Sequence, residues 1–218
     1  MNPMSQLTAQ GRQIETDSFA IIDREIELHH GGHLFSDLQW PVVRRAIHTS
    51  GDFEFARLFR FSPSAMEAGM EALRRGAPIV SDVTMITAGL SPSRCRPFGV
   101  EGHCFISDPE VIERAKASGI TRAIESMRLA RDKGLLDGGI VAIGNAPTAL
   151  FEVLRMVEAG EAMPALIIGI PVGFVRADES KTQLVGQAKV PFISSLGRKG
   201  GSPLVVSSLH ALMVEAAK

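Results

Sequence analysis

The densest apolar patterning lies between Gly139 and Phe174, in GIVAIGNAPTALFEVLRMVEAGEAMPALIIGIPVGF. Ile140 to Ile143 is a short apolar run and predicts a buried strand. It breaks at Gly144-Asn145. Pro147 then stands where a helix begins, a position at which its missing N–H costs nothing. Thr148 to Glu158 carries Leu150, Leu154 and Val157 at helical spacing. A second apolar run, Ala165 to Ile170, ends in Pro171-Val172-Gly173. Strand, loop, helix, strand is half of a doubly wound α/β sheet, which binds ligands at the edge where its strands end. Free backbone N–H groups at the helix start near Thr148 suit an anionic group.

The rest of the chain extends this pattern. Residues 1–15 are polar and read as loose, 16–76 as mainly helical, and 77–218 as the sheet core of a single domain. Ser18 is placed to cap a helix from Phe19 to Leu28, with Phe19, Ile22 and Ile26 on one face. Leu38 to Ile47 and Ser64 to Arg75 predict two more helices. Strands are expected at Pro78–Val83, His103–Ile106 and Val190–Leu196. Helices are expected at Pro109–Lys116, Thr121–Lys133 and from Ser202 or Pro203 to the C-terminus.

Composition narrows the function classes. The 218 residues are 45% hydrophobic and 22% charged, with 23 Lys and Arg against 24 Asp and Glu. No global charge argues for nucleic acid or an anionic membrane. Tyr is absent and Trp40 stands alone, which disfavours an aromatic stacking platform. Cys95 and Cys104 do not make a disulfide scaffold. There is no signal pattern, and no apolar run approaches the ~20 residues of a membrane helix. The chain reads as cytoplasmic.

Candidate chemistry sits in the loops. His48 ends a helix before Thr-Ser-Gly-Asp. It is either a cation stabilised by the helix dipole or a proton donor, because histidine changes charge near neutrality. Asp52 is placed to cap the next helix. Arg44 and Arg45 precede His48 and suit an anionic substrate or a solvated helix face. Asp82 ends the first strand and orients a ligand or caps the following turn. Arg94 lies on a loop with Arg96, suited to carboxylates. Arg122 stands in a first helical turn, where a cation opposes the dipole, a hint that an anion meets it. Asn145, Thr148 and Lys181 are further candidate ligand contacts at strand ends, and Gly197 to Ser202 reads as an anion-binding turn. His29, His30 and His33 lack the partners of a recognised zinc pattern, and no cofactor or metal site is expected. The set suits an isomerase or lyase that holds a polyanionic small molecule and moves a proton. A non-catalytic carrier of the same ligand is the alternative; the two differ in whether His48 is needed for turnover but dispensable for binding.

SFAIIDRE (18–25), RRAIHTSGDFEFA (44–56), APIVSDVTMITAG (77–89), GITRA (119–123), IVAIGNAPTALFEVL (140–154), PVGFVRADESK (171–181) and GRKGGS (197–202) together resemble the precorrin-8X methylmutase family of corrin-ring biosynthesis. The resemblance implies a three-layer α/β/α, flavodoxin-like domain with a five-stranded parallel sheet. It implies homodimers with the pocket near the subunit interface, and a tetrapyrrole polycarboxylate as substrate. It also implies the reaction, in which a ring methyl group moves from C11 to C12 to give hydrogenobyrinate or its cobalt form. His48 matches the family's catalytic histidine, Ser18 a serine near the substrate and Arg122 an arginine that contacts it. A 1,5-sigmatropic methyl shift needs no redox cofactor and no metal. Arg176 departs from the pattern, standing where a glycine-alanine pair is common. His210 stands where asparagine is usual.

Overall fold

The structure, a computed structural model, describes residues 8–187 and 189–218. One sheet contains β1 (Phe59–Phe61), β2 (Ile79–Ser81), β3 (Gly102–His103), β4 (Ile140–Ile143), β5 (Leu166–Gly169) and β6 (Phe192–Ser195). Their order is β1-β6-β5-β4-β2-β3. The five strands β2 to β6 run parallel, with Ile79 opposite Ile140, Ile140 opposite Leu166 and Ile168 opposite Ile193. The chain moves outward from β2 to β3 and then returns to lay β4 on the other side of β2. The C-terminal ends of β2 and β4 are therefore the switch point where an open α/β sheet leaves a crevice.

The helices are α1 (Ala9–His29), α2 (Trp40–Ser50), α3 (Phe55–Leu58), α4 (Ala65–Arg74), α5 (Thr84–Gly89), α6 (Pro92–Cys95), α7 (Pro109–Ser118), α8 (Arg122–Asp132), α9 (Pro147–Glu158), α10 (Ala177–Gly186) and α11 (Ser202–Ala216). Successive strand residues point to opposite faces. Ile140 and Ala142 belong to the core shared with α1, α2, α4 and α11, while Val141 and Ile143 belong to the core shared with α8, α9 and α10. This alternation builds the expected α/β/α layers. It also explains why β4 and β5 are apolar throughout, since a parallel strand covered on both faces has no polar side. Each fully buried Ile or Leu contributes about 1.5–3 kcal/mol.

Three expectations change. First, the five parallel strands gain a sixth, antiparallel one. β1 pairs with β6 through Phe59 opposite Ser195 and Phe61 opposite Ile193, covering an edge that would otherwise expose unpaired backbone groups. Second, the first helix does not start at Ser18. Thr8 caps α1 by accepting the Gly11 N–H at 3.0 Å, and the Ser18 hydroxyl, one turn into the apolar stretch, donates to the Ile14 carbonyl at 2.8 Å. The part of the expected loose stretch at 1–7 lies outside the described residues. Third, the strand expected at His103–Ile106 is only Gly102–His103.

Candidate active site

The loops that leave β2, β4, β5 and β6 meet at the C-terminal edge of the sheet. Asp82, buried at the end of β2, organises them. Its Oδ1 accepts the Gly144 N–H at 3.0 Å, and its Oδ2 accepts those of Asn145 at 2.8 Å and Ala146 at 2.6 Å. Burial raises its carboxyl above the ordinary range, against the pull of those three donors. The loop that leads into α9 already has an anion, and Asp82 is that anion. The sequence left Asp82 to orient a ligand or to cap the turn after its own strand; the geometry gives it instead the loop after β4. The backbone N–H groups of residues 144–146, just before the helix start near Thr148 where an anion was expected, are occupied by it.

The loop after β6 crosses tightly over this one. A Cβ on Gly144 would sit 2.7 Å from the Ser202 Cα, and one on Gly200 would sit 2.3 Å from the Ile170 carbonyl oxygen. Both clashes are with backbone, so glycine is required at each. Lys181 supports the crossing from below. Its buried Nζ donates to the Lys199 carbonyl at 2.8 Å, and the Ser195 hydroxyl reaches the same oxygen at 3.2 Å. Burial pushes the Lys181 ammonium down to about 8. Lys181 therefore acts on the loop; a ligand has no direct access to its ammonium.

His48 stands exposed in the last turn of α2, which Gly51 closes in the left-handed region (φ 67°). Its ring meets the edge of Phe19 at 5.4 Å between centroids. The guanidinium groups of Arg44 and Arg45 lie over Phe19 at 4.5 and 5.2 Å. Ser18, beside Phe19 on α1, shares this corner. Arg44 is held by Asp23 at 2.6 Å, whose other oxygen accepts the Trp40 indole N–H at 2.8 Å; Arg45 is held by Glu15 at 2.8 Å. Asp52 accepts the Glu54 N–H at 3.0 Å, so it braces the turn before α3 rather than capping that helix, whose cap position is Glu54; it also pairs with the Lys199 ammonium.

Arg122, Asn145 and Thr148 sit on the other face. Thr121 caps α8, and its hydroxyl meets that of Thr148 at 3.2 Å. Arg122 and Asn145 are exposed beside that contact. Arg94, on α6, is buried on the His48 side of the sheet. Two hollows reach Thr49, the residue after His48. One of about 350 Å³ is lined by Arg45, Thr49, Met85, Ser202 and His210. The other, of about 420 Å³, is lined by Thr49, Asp52, Val172, Lys199 and Pro203. Larger hollows of about 610 and 630 Å³ lie against β1, away from this edge. Phe174 and Val175, 84% and 79% exposed, add an apolar surface at the end of β5. His30 stacks on Phe53 and His33 on Trp40, at 4.8 and 3.9 Å, so both rings pack as aromatics. Among the described residues no group of three His, Cys, Asp or Glu is placed to hold a metal ion.

Sequence reading missed Phe19, Lys199 and His210 as parts of this edge. Only the position of Lys199 in a glycine-flanked basic turn hinted at its place.

A family model described as precorrin-8X methylmutase matches residues 13–215. The chain is 46% identical to the cobalt-precorrin-8 methylmutase of Leptospira interrogans, over 99% of this chain and 98% of that one. It is 49% identical to that of Priestia megaterium, over 96% and 90%. The solved structure of a precorrin-8X methylmutase from Thermus thermophilus superposes with a TM-score of 0.88 at 51% identity, covering 95% of this chain and 97% of that one.

Proposed function

The chain belongs to the precorrin-8X methylmutase family, and we propose that His48 is the side chain through which it performs that family's reaction. The protein is an isomerase: the methyl group on C11 of precorrin-8X or cobalt-precorrin-8 moves to C12, giving hydrogenobyrinate or cobyrinate. The C11–methyl bond breaks as the C12–methyl bond forms, so no electrons enter or leave. The protein's contribution is to hold the ring and shift its electron density. A proton or hydrogen bond delivered to a ring nitrogen does this, and a positioned imidazole is suited to it.

The observation that carries this reading is the setting of His48. It is exposed at the sheet's ligand-binding edge, its ring braced by Phe19 and its helix end adjoining two hollows at Thr49. The apolar surface of Phe174 and Val175 supports a large flat ring, and Ser18 and Arg122 are further substrate contacts. Asp82 and Lys181 act one step back, by shaping the loops at 144–146 and 197–201. Arg44 contributes as a positive charge already balanced by Asp23. Two copies associate in this reading. Ile14, Ile21 and Leu28 recur every seven residues along α1 and are 58%, 46% and 68% exposed, an apolar stripe suited to a second copy.

The test is turnover by purified protein dialysed against chelator, followed by the ring's absorbance on metal-free and cobalt-loaded substrate. Conversion without added metal is expected, and strict dependence on added metal would contradict it. A His48→Ala variant that turns over normally would remove the proposed role. Sedimentation of a fully active monomer would remove the dimer.

A further inference from the structure

Among the described residues, Arg94 is a charged side chain without a counterion of its own. It is 8% exposed, and its Nη1 is buried with no hydrogen-bond partner among the described residues. A buried charge in that state is costly, and proteins retain one where a partner arrives. Its surroundings are also cationic. Arg45 lies near enough for its charge, after burial, to depress the Arg94 guanidinium; Glu15 opposes this but is already bonded to Arg45 at 2.8 Å. Two arginines and one glutamate leave one positive charge uncompensated.

His210 completes the group. Its Nε2 accepts the Ser91 N–H at 3.1 Å and so anchors the start of the α6 segment that carries Arg94. Burial, then the charges of Arg94 and Arg45, push its imidazole down to about 4, so the ring is neutral at physiological pH. With Nε2 accepting, the proton resides on Nδ1 and is available to an acceptor. Arg45 and His210 both line the 350 Å³ hollow, and Arg45 is one turn from His48 on α2, on the same helix face.

We propose that Arg45 and His210, which line the hollow, and Arg94, on the α6 segment that His210 anchors, form a receptor for a single carboxylate arm of the substrate, which enters the hollow one turn of α2 from His48 and fixes the ring's rotation over the imidazole. The inference rests on the functional reading above and adds to it a subsite, its ligand chemistry and two residues. One carboxylate neutralises the uncompensated charge, accepts from the guanidinium of Arg94 and takes the Nδ1 proton donor of His210. A side-chain carboxylate on a flexible arm reaches such a site where the ring itself does not fit. An asparagine at position 210 would preserve the same pair of roles, an oxygen for the Ser91 N–H and an N–H for the ligand.

The experiment compares wild type, Arg94→Met, His210→Leu and His210→Asn. Two probes are titrated: the corrin product with free carboxylates, and a corrin whose side-chain carboxylates are all amides. Arg94→Met should weaken product binding ten- to a hundredfold, raise KM similarly and leave kcat within about threefold. The amidated corrin should bind wild type and Arg94→Met alike. His210→Leu should follow Arg94→Met, and His210→Asn should restore affinity. The ligand-free Arg94→Met protein should melt no lower than wild type, because the substitution removes an unpaired buried charge. Unchanged product affinity in folded Arg94→Met, or an equal loss with the amidated corrin, would overturn the proposal. Normal turnover in His48→Ala would instead sink the functional reading and leave the carboxylate receptor standing.

Discussion

The ammonium of Lys199 meets the carboxylate of Asp52, 147 positions earlier in the chain, and the carboxylate of Glu54 at 2.5 Å. The contact ties the loop after β6 to the segment that follows His48. Because the Lys199 carbonyl also receives the Lys181 ammonium, one residue joins the α2 end, the crossed loops and α10. The position of His48 relative to the apolar end of β5 is set through this residue.

Lys199→Met should therefore cost more activity than stability. The pair is partly exposed, and such pairs add little to stability. The expected result is a fall in kcat of roughly tenfold with a denaturation midpoint close to wild type. The Lys199 hydrogen bond holds the Asp52 carboxyl below its ordinary range. A depressed carboxylate stabilises the fold above its unfolded value of ~3.9 and loses that contribution as pH falls through the folded one. Acid titrations of stability should show the variant losing less below pH ~4 than wild type.

Asp82→Asn should destabilise the fold without adding or removing bulk. One oxygen remains where two accepted three N–H bonds, so at least one buried N–H faces an amide donor. Each such group costs about 1–3 kcal/mol. Urea denaturation at neutral pH should show a loss in that range; a change under about 0.5 kcal/mol would mean the loop at 144–146 relaxes freely.

Arg176 has φ 60° at the start of α10 and is the one non-glycine residue in the left-handed region among the described residues. Glycine adopts this conformation without strain. The conformation costs a side-chain-bearing residue about 1–2 kcal/mol, offset in part by the guanidinium over Phe151 at 4.3 Å. Arg176→Ala keeps the strain and loses the ring contact, so it should lower stability by about 0.5–1 kcal/mol. Arg176→Gly should be more stable than the alanine variant by about 0.5–1 kcal/mol, the reverse of the order found inside helices. Equal stabilities would contradict the strain.

Lys181 supplies a pH signature. Its native value of about 8 lies below the ~10.4 of an unfolded lysine. Between these values the unfolded chain binds a proton that the native protein does not, so this group's contribution to stability rises with pH. Wild type should gain on Lys181→Met on the order of 2 kcal/mol between pH 8 and 9.5. A constant difference would place the titration elsewhere.

Much of the fold was legible because β4, β5 and α9 carry patterns that allow one reading: apolar runs too short for helices, then Leu150, Leu154 and Val157 at helical spacing. β1 was not. Phe55, Leu58 and Phe59 fit a helix as well as a strand, and only the open edge of β6 decides for pairing at Phe59. Ser18 looked like a cap because polar residues precede it, yet Thr8 serves and the helix runs through. The place of His48 at a helix end and the glycine loops were readable from local context. The partners were not. Asp82 meets residues 62 to 64 positions away, and nothing near Lys199 in the sequence points to Asp52. Long-range pairing of charges leaves no periodic trace, so Arg44 read as available when Asp23 already holds it.

The central claim is that His48 acts on the ring during methyl migration, while other groups hold the carboxylate arms. It is tested most directly by the rate and the product affinity of His48→Ala measured together. An interaction made mainly in the transition state appears in kcat and spares affinity. The predicted result is a fall in kcat of about 10²–10⁴-fold, with the product dissociation constant within about threefold of wild type and the fold intact by circular dichroism. A His48→Ala variant with near-normal kcat, or one whose product affinity falls as far as its rate, would contradict the account.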